Sequence, residues 1–366
     1  ALGPVIDPRM SPDGAHIGYA AQGALRLVGS DGSNDRALVT GRNDNEFAGL
    51  VDFAAAEELE RSRGFWWSPD STQLLVERVD ESAVQQWWIA NPVSPGQQPN
   101  VVRYPSAGTT NATVSLVLAS LDGSLTQVQW DNIGFEYLVD VSWTQGHDPL
   151  ILVSTRDQTN MQVLSIDRVT GDTRVETQWH DPQWIDAAPG ATTWLPDGRL
   201  LTLRADRESD TYRLHAGDEW LSPVGLQIRD VVSVDESGIV VSSAPDPMST
   251  TLVRIGFDGS TTPVGPSTGW IIGRSASGTT VISERQFTTT EVSYRIERGE
   301  ISLPVTSHAE RPGFTPKVEI IESGPNKVLT AVLFPTGHVP GSAKLPILMS
   351  PYGGPHFGVV VAAGAS

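Results

Sequence analysis

The stretch "LVDFAAAEELERSRGFWWSPD", residues 50–70, sets two adjacent carboxylates, Glu57 and Glu58, ahead of two adjacent tryptophans, Trp66 and Trp67, and a Ser68-Pro69-Asp70 turn. Like charges held side by side in a partly enclosed site repel, so an arriving cation relieves a built-in penalty. The plainer reading of a Glu-Glu pair is the solvated first turn of a short helix, where the helix dipole favours negative charge. Late in the chain, Tyr352 precedes Gly353-Gly354-Pro355 and follows an apolar run, Leu345 to Met349. A phenol can donate a hydrogen bond and glycines admit close backbone approach, but on its own such a motif is a turn. No Gly-x-Ser-x-Gly nucleophile elbow occurs; the nearest string, Gly273-Arg274-Ser275-Ala276-Ser277-Gly278, has the wrong spacing.

Around these residues the chain punctuates itself regularly. "RMSPDGAHIGYA" from Arg9, "WWSPDSTQLLVE" from Trp66 and "TWLPDGRLLTLR" from Thr193 share one strand–turn–strand pattern, with weaker copies from Val139, Val231 and Trp270. Proline pre-sets φ in the turn, and Asp with Gly or Ser tolerates the bend, so the unit reads as a hairpin. Between the copies lies a second hairpin built on an Asp-Gly turn, as in "LRLVGSDGSNDRALVT", "LVLASLDGSLTQVQW", "LSIDRVTGDTRVETQW" and "LVRIGFDGSTTPVG". Two hairpins per repeat make four strands, and a repeat of about 40 to 57 residues suits one blade of a β-propeller. The fold expected is therefore all-β, a propeller of four-stranded blades with at least six visible. A β-sandwich or a solenoid of hairpins is the alternative that composition leaves open. Trp67, Trp143 and Trp194 each fall in or beside the first turn of a repeat, where a flat ring fills the gap between blades. Helical periodicity is confined to a short Ala-Glu stretch, Ala54 to Arg61, and Trp87 and Trp88 in "AVQQWWIANPV" are expected to close a blade, with an exposed arm as the alternative.

At 366 residues, core size sets no limit on stability. The absence of cysteine removes disulfides, thiolate nucleophiles and cysteine-held zinc together, and the seven histidines lack metal-type spacing. "SDGSND" (Ser30 to Asp35) has oxygen ligands but not the sixth-position glycine and final glutamate of a calcium loop. No metal or organic cofactor is implied. With 43 acidic against 25 basic residues the formal charge is −18, which repels nucleic acid and anionic lipid. No apolar run approaches the roughly 20 residues of a membrane helix. The opening "ALGPVIDPRMSPDG" has no signal-peptide pattern and reads as a truncated start. Asn111-Ala112-Thr113 matches a glycosylation sequon, a triplet common by chance. Cytoplasm is the expected location, with secretion or the periplasm open if a leader precedes this start.

From about Thr315 the texture changes to two strands of some length, a Pro/Gly-rich linker and the apolar run Leu345–Met349, read as a strand. An apolar strand closed by a Gly-rich turn is how a buried α/β sheet begins. Residues 1–314 are thus expected to be propeller, truncated at its start, and residues 315–366 the beginning of a second domain.

Four stretches in order, Glu57-Glu58 before "GFWWSPD", then "VRYPSAGTTNATVSL" (Val102 to Leu116), "VDVSW" (Val139 to Trp143) and "LPILMSPYGGPH", resemble the dipeptidyl peptidase IV branch of the prolyl oligopeptidase family of serine peptidases. They span nearly the whole chain; the first and last are specific, whereas a bare Trp-Ser-Pro-Asp is common to many propellers. The resemblance implies a propeller, commonly eight-bladed, followed by an α/β-hydrolase domain that carries a Ser/Asp/His triad. It implies that Glu57 and Glu58 project from a short helical insertion and bind the free α-amine of a peptide. An ammonium has three donors, and two carboxylates accept them from more than one side. Fixing the N-terminus in this way measures the substrate, so that cleavage follows the second residue. Trp66 and Trp67 would anchor the insertion, and Tyr352 would supply its hydroxyl to the oxyanion hole.

The match is incomplete. The triad is not in this chain, neither His356 nor His308 is a triad member, and the arginine that assists some relatives has no counterpart here. The expectation is the substrate-gating part of a serine exopeptidase releasing dipeptides, or tripeptides, with Pro or Ala in the penultimate position, inactive alone. Its partners would be a peptide with a free N-terminus, the rest of the hydrolase domain and, as relatives do, a second copy in a homodimer. The competing expectation is a non-catalytic propeller that binds peptides or proteins.

Overall fold

The computed structural model describes residues 3–188, 190–276, 278–339, 341–354 and 358–363, and the chain divides into two compact units, residues 1–194 and 195–366. In the first unit, β1 (Ile6–Met10), β2 (His16–Ala21), β3 (Ala24–Gly29) and β4 (Arg36–Thr40) pair in that order into an antiparallel sheet. The second sheet gathers β5 (Glu46–Ala48), β6 (Phe65–Trp67), β7 (Gln73–Asp80), β10 (Thr113–Ser120) and β11 (Leu125–Gln127). Helix α1 (Phe53–Glu58) stands between β5 and β6, and a separate ribbon of β8 (Gln86–Ile89) and β9 (Asn100–Arg103) between β7 and β10. The third sheet runs β12 (Tyr137–Ser142), β13 (Leu150–Ser154), β14 (Asn160–Ile166), β15 (Thr173–His180), and β16 (Thr193–Trp194) ends the unit.

The second unit opens with β17 (Leu200–Asp206), β18 (Thr211–Ala216) and β19 (Glu219–Trp220). Two four-stranded sheets follow: β20 (Ile228–Asp235) to β21 (Gly238–Ser243), β22 (Thr251–Ile255) and β23 (Thr261–Val264), then β24 (Trp270–Ala276) to β25 (Thr279–Arg285), β26 (Ser293–Arg298) and β27 (Ile301–Val305). A lone hairpin of β28 (Lys317–Ser323) and β29 (Val328–Phe334) comes last. Each of the six Pro-Asp-type copies lies at the head of a sheet, and the four Asp-Gly hairpins are the β3–β4, β10–β11, β14–β15 and β22–β23 turns.

The turns form for a local reason. Ser11 Oγ donates to Asp13 at 2.6 Å, Ser68 Oγ to Asp70 at 2.7 Å and Thr155 Oγ1 to Asp157 at 2.6 Å, and each aspartate also accepts the backbone N–H two residues on. These bonds hold the Asp13 and Asp157 carboxyls below the ordinary range. Burial pulls Asp70 upward, but bonds from Ser68, Thr72 and Arg168 outweigh it and hold it well below. A carboxyl whose folded-state pKa is depressed contributes stability above its unfolded value and loses it as pH falls. The urea midpoint is therefore expected to fall as pH drops below about 4, near the unfolded aspartate pKa. Asp70→Asn should flatten that limb, and an unchanged limb would remove these turns from the account.

The second sheet is buried on both faces, and its alternation shows in the core. Trp66, Leu75, Leu116 and Leu118 face the third sheet, while Phe65, Leu74, Val76, Val117 and Ala119 face the first. Trp143 packs against the core shared by the second and third sheets, and the Trp67 indole donates to the Arg9 carbonyl of the first sheet at 3.1 Å, as the inter-blade role required. Trp194 stacks on His147 with centroids 5.3 Å apart. Phe65 is fully buried, and Phe65→Ala should cost about 3–5 kcal/mol in urea unfolding. A cost under about 1 kcal/mol would mean that this core is not tightly packed.

Two expectations are corrected. Trp87 and Trp88 do not close a blade: they lie in the two-stranded ribbon, 43% and 64% exposed, because β10 pairs with β7 directly and leaves the intervening residues to pair with each other. Leu345–Met349 forms no strand and is exposed, with Leu348 97% accessible. An extended segment needs neighbours to take its backbone hydrogen bonds, and among the described residues none pairs with it.

Candidate functional site

The acidic pair sits on an excursion from the middle of a strand. β5 and β6 lie along the same side of β7, Glu46–Ala48 opposite Arg78–Asp80 and Phe65–Trp67 opposite Leu74–Val76. Only Glu77 stands between them, and it holds both ends of the break: its C=O accepts Gly49 N–H at 2.9 Å and its N–H donates to Gly64 C=O at 2.9 Å. The chain leaves and returns through a narrow gate. Gly49 has φ +82°, and a Cβ on Gly64 would come within 2.5 Å of the Leu50 carbonyl carbon. Both positions therefore require glycine.

Between these glycines, Asp52 caps α1, its Oδ2 accepting Ala54 N–H at 3.0 Å and Ala55 N–H at 3.3 Å. Ala55 and Leu59 are buried, and the helix packs towards β12. Glu57 and Glu58 occupy the last turn, both exposed. The helix-dipole reading of the pair is thus corrected: no acidic residue lies in the first turn, and carboxylates at a helix C-terminus meet the unfavourable end of the dipole. Among the described residues no hydrogen bond or ion pair to either side chain is found. Two exposed carboxylates side by side offer several acceptors, which is what a cation with several N–H donors would need.

Beneath them is a buried charge cluster that sequence reasoning missed. The Arg61 guanidinium is bidentate on Glu77, with Nη1 to Oε2 and Nη2 to Oε1 at 3.1 Å, and lies 3.7 Å from Asp52 Oδ1. It also donates to Leu138 C=O at 3.1 Å and Arg63 C=O at 2.8 Å, and covers Trp66 at 5.8 Å from the ring centroid. Burial pushes the Glu77 carboxyl up to about 7 against the pull of Arg61, and raises Asp52 for the same reason. The neighbouring Asp140 is raised by burial too, while accepting N–H bonds from Val141 and Gly190. In "EELERSRG" nothing separates Arg61 from surface charge, since arginine is seldom buried unless paired. The available signal was the density of charge in "EELERSR", immediately before Gly64 and a buried strand.

On the ribbon side, Phe53 at the start of α1 meets Tyr104 edge-on at 5.2 Å, and Tyr104 meets Trp87 at 5.0 Å. Tyr352 belongs to the second unit, 43% exposed in a segment without regular structure. Pro355 and His356 of the same motif, and Ser277 of the near-miss elbow, lie outside the described residues. Among the described residues no helix is long and apolar enough to cross a membrane.

The family described as dipeptidyl peptidase IV (DPP IV) N-terminal region matches residues 2–214. Venom dipeptidyl peptidase 4 of Apis mellifera is 28% identical over 222 residues, 57% of this chain and 28% of that protein. Dipeptidyl peptidase 8 of Mus musculus is 26% identical over 152 residues, 35% of this chain and 17% of that protein. The solved dipeptidyl peptidase 4 of Porphyromonas gingivalis superposes with a TM-score of 0.83 at 18% identity, covering 100% of this chain and 55% of that one. A putative dipeptidyl aminopeptidase IV from Bacteroides ovatus does so with a TM-score of 0.83 at 15% identity, covering 99% and 56%. The chain therefore spans about half the length of these solved proteins and under a third of the two curated ones. At such identity the superposition establishes the fold, an all-β chain of propeller blades.

Proposed function

The chain belongs to the dipeptidyl peptidase IV N-terminal-region family, and from that premise we propose that it is the substrate-gating propeller of a serine exopeptidase that releases dipeptides from free peptide N-termini. Glu57 and Glu58 hold the α-amine of the substrate, and the penultimate residue is Pro or Ala; a deeper pocket would release tripeptides by the same means. The observation that supports this most directly is the exposed acidic pair at the unfavourable end of α1, on an excursion tied at both ends to Glu77. Charge placed where the helix opposes it suits a ligand cation better than it suits the isolated fold.

In this reading residues 1–314 are propeller, part of an eight-bladed whole, and residues 315–366 begin the hydrolase domain, whose serine, aspartate and histidine lie elsewhere in the natural polypeptide. Tyr352 donates to the oxyanion, and hydrolysis passes through a serine ester. The exposed β8–β9 ribbon is offered as the contact to a second copy in a homodimer. The test pairs the intact mass of the natural protein with release of a chromogenic group from a Gly-Pro amide. A mass near twice that of the 39.3 kDa chain, with turnover, is expected. A mass near that of this chain, with no turnover, would leave a peptide-binding propeller instead.

A further inference from the structure

We propose that Arg61 is the positioning residue of the amine site: its guanidinium, held from four directions, sets where the Glu57–Glu58 carboxylates point. The inference rests on the reading of that pair as the amine clamp and adds a residue that touches no substrate.

The six residues of α1 are too few for a helix to hold itself in water, where roughly 12–15 are needed even for good formers. Its direction must come from tertiary anchors: Ala55 and Leu59 supply buried apolar ones, and Phe53 a part-exposed one against Tyr104. Arg61, three residues beyond Glu58, supplies the rest. One planar group reaches the N-cap carboxylate of Asp52, the Glu77 carboxylate at the strand break, the β12 carbonyl of Leu138 and the Arg63 carbonyl of the returning chain. Both ends of the excursion and two strands of the neighbouring sheets are thereby fastened through a single side chain. Its backbone N–H closes the loop further by donating to Ala55 C=O at 3.0 Å. A generic structural ion pair would need one partner; this one connects the start of the helix, its exit and the floor beneath it. Lysine cannot substitute, because an ammonium on a flexible stem lacks the planar fork that meets a carboxylate and two carbonyls together.

The test is made in the intact natural polypeptide, with a free-amine Gly-Pro amide as substrate. Arg61→Lys is expected to lower kcat/KM about 10–100-fold, carried by KM, since displacing a holding group by about 1 Å has effects of that order. Should Arg61→Lys fail to fold, Arg61→Met/Glu77→Leu/Asp52→Asn removes the three buried charges together while Asn keeps the helix cap; such replacements of buried charge clusters commonly keep the fold. It is expected to show the same rise in KM. Either variant folded, with KM within about two-fold of the parent, overturns the proposal, and a lowered melting temperature with unchanged KM marks Arg61 as merely structural. Glu57→Gln and Glu58→Gln separate the two ideas. If they raise KM and Arg61→Lys does not, the clamp stands and the role of Arg61 falls. If they leave KM unchanged, the clamp itself falls, and the positioning role with it.

Discussion

Glu57→Gln/Glu58→Gln is expected to lower kcat/KM for a free-amine Gly-Pro amide by about 10²–10³-fold, with most of the loss in KM. Truncating one side of a desolvated, hydrogen-bonded charge pair costs about 2–5 kcal/mol, which spans that range. Glutamine preserves shape and one acceptor, so the loss reports charge and not packing. The parent should also discriminate strongly between the free amine and its N-acetyl derivative, because acetylation removes the cation and two of its donors. In the double variant that discrimination should collapse. The single variants should each lose less than the double, since one carboxylate can still accept part of the ammonium. A double variant with parental KM and undiminished preference for the free amine would mean that the amine is held elsewhere, and that α1 is only a surface feature of the second sheet.

Tyr352→Phe is expected to reduce kcat by about 10²–10³-fold while leaving KM within a few-fold, the signature of a donor that acts only as charge develops. The substitution removes one oxygen and keeps the ring, so folding should be unaffected; an exposed side chain in a segment without strands carries little of the core. The two variants then separate along the reaction coordinate. Loss of the acidic pair weakens the ground-state complex, and loss of the phenol weakens the tetrahedral intermediate. A Tyr352→Phe enzyme with parental kcat would remove Tyr352 from the oxyanion hole and return Tyr352-Gly353-Gly354 to a plain turn.

The buried cluster sets a limit on how such variants should be chosen. Arg61 alone cannot be truncated to alanine without leaving Glu77 and Asp52 as buried carboxyls short of a cation, a change worth about 3–5 kcal/mol. A loss of activity in Arg61→Ala would therefore confound unfolding with misplacement.

The repeats were legible because a hairpin turn is decided by four or five neighbouring residues. Ser68, Asp70 and Thr72 bond among themselves around Pro69, and the same device recurs at Asp13 and Asp157. Glu57 and Glu58 were legible as a pair for a related reason, since adjacency is a property of the chain. Their place on the helix was not. The six-residue helix begins after Asp52 and not at the glutamates, because Asp52 is the residue whose carboxylate caps Ala54 and Ala55.

The sequence by itself thus determined the hairpins, the count of repeats and the acidic pair, all set by interactions between near neighbours. Tertiary structure alone decided which charges are buried, which apolar residues are exposed and where a strand is broken. Arg61 is interior because Glu77, 16 residues away, and Leu138, 77 residues away, come to meet it. Trp88 and Leu348 are exposed because among the described residues no strand or core covers them. Burial is a property of what packs on a residue, and partners distant in sequence leave no mark on the local pattern from which elements are read.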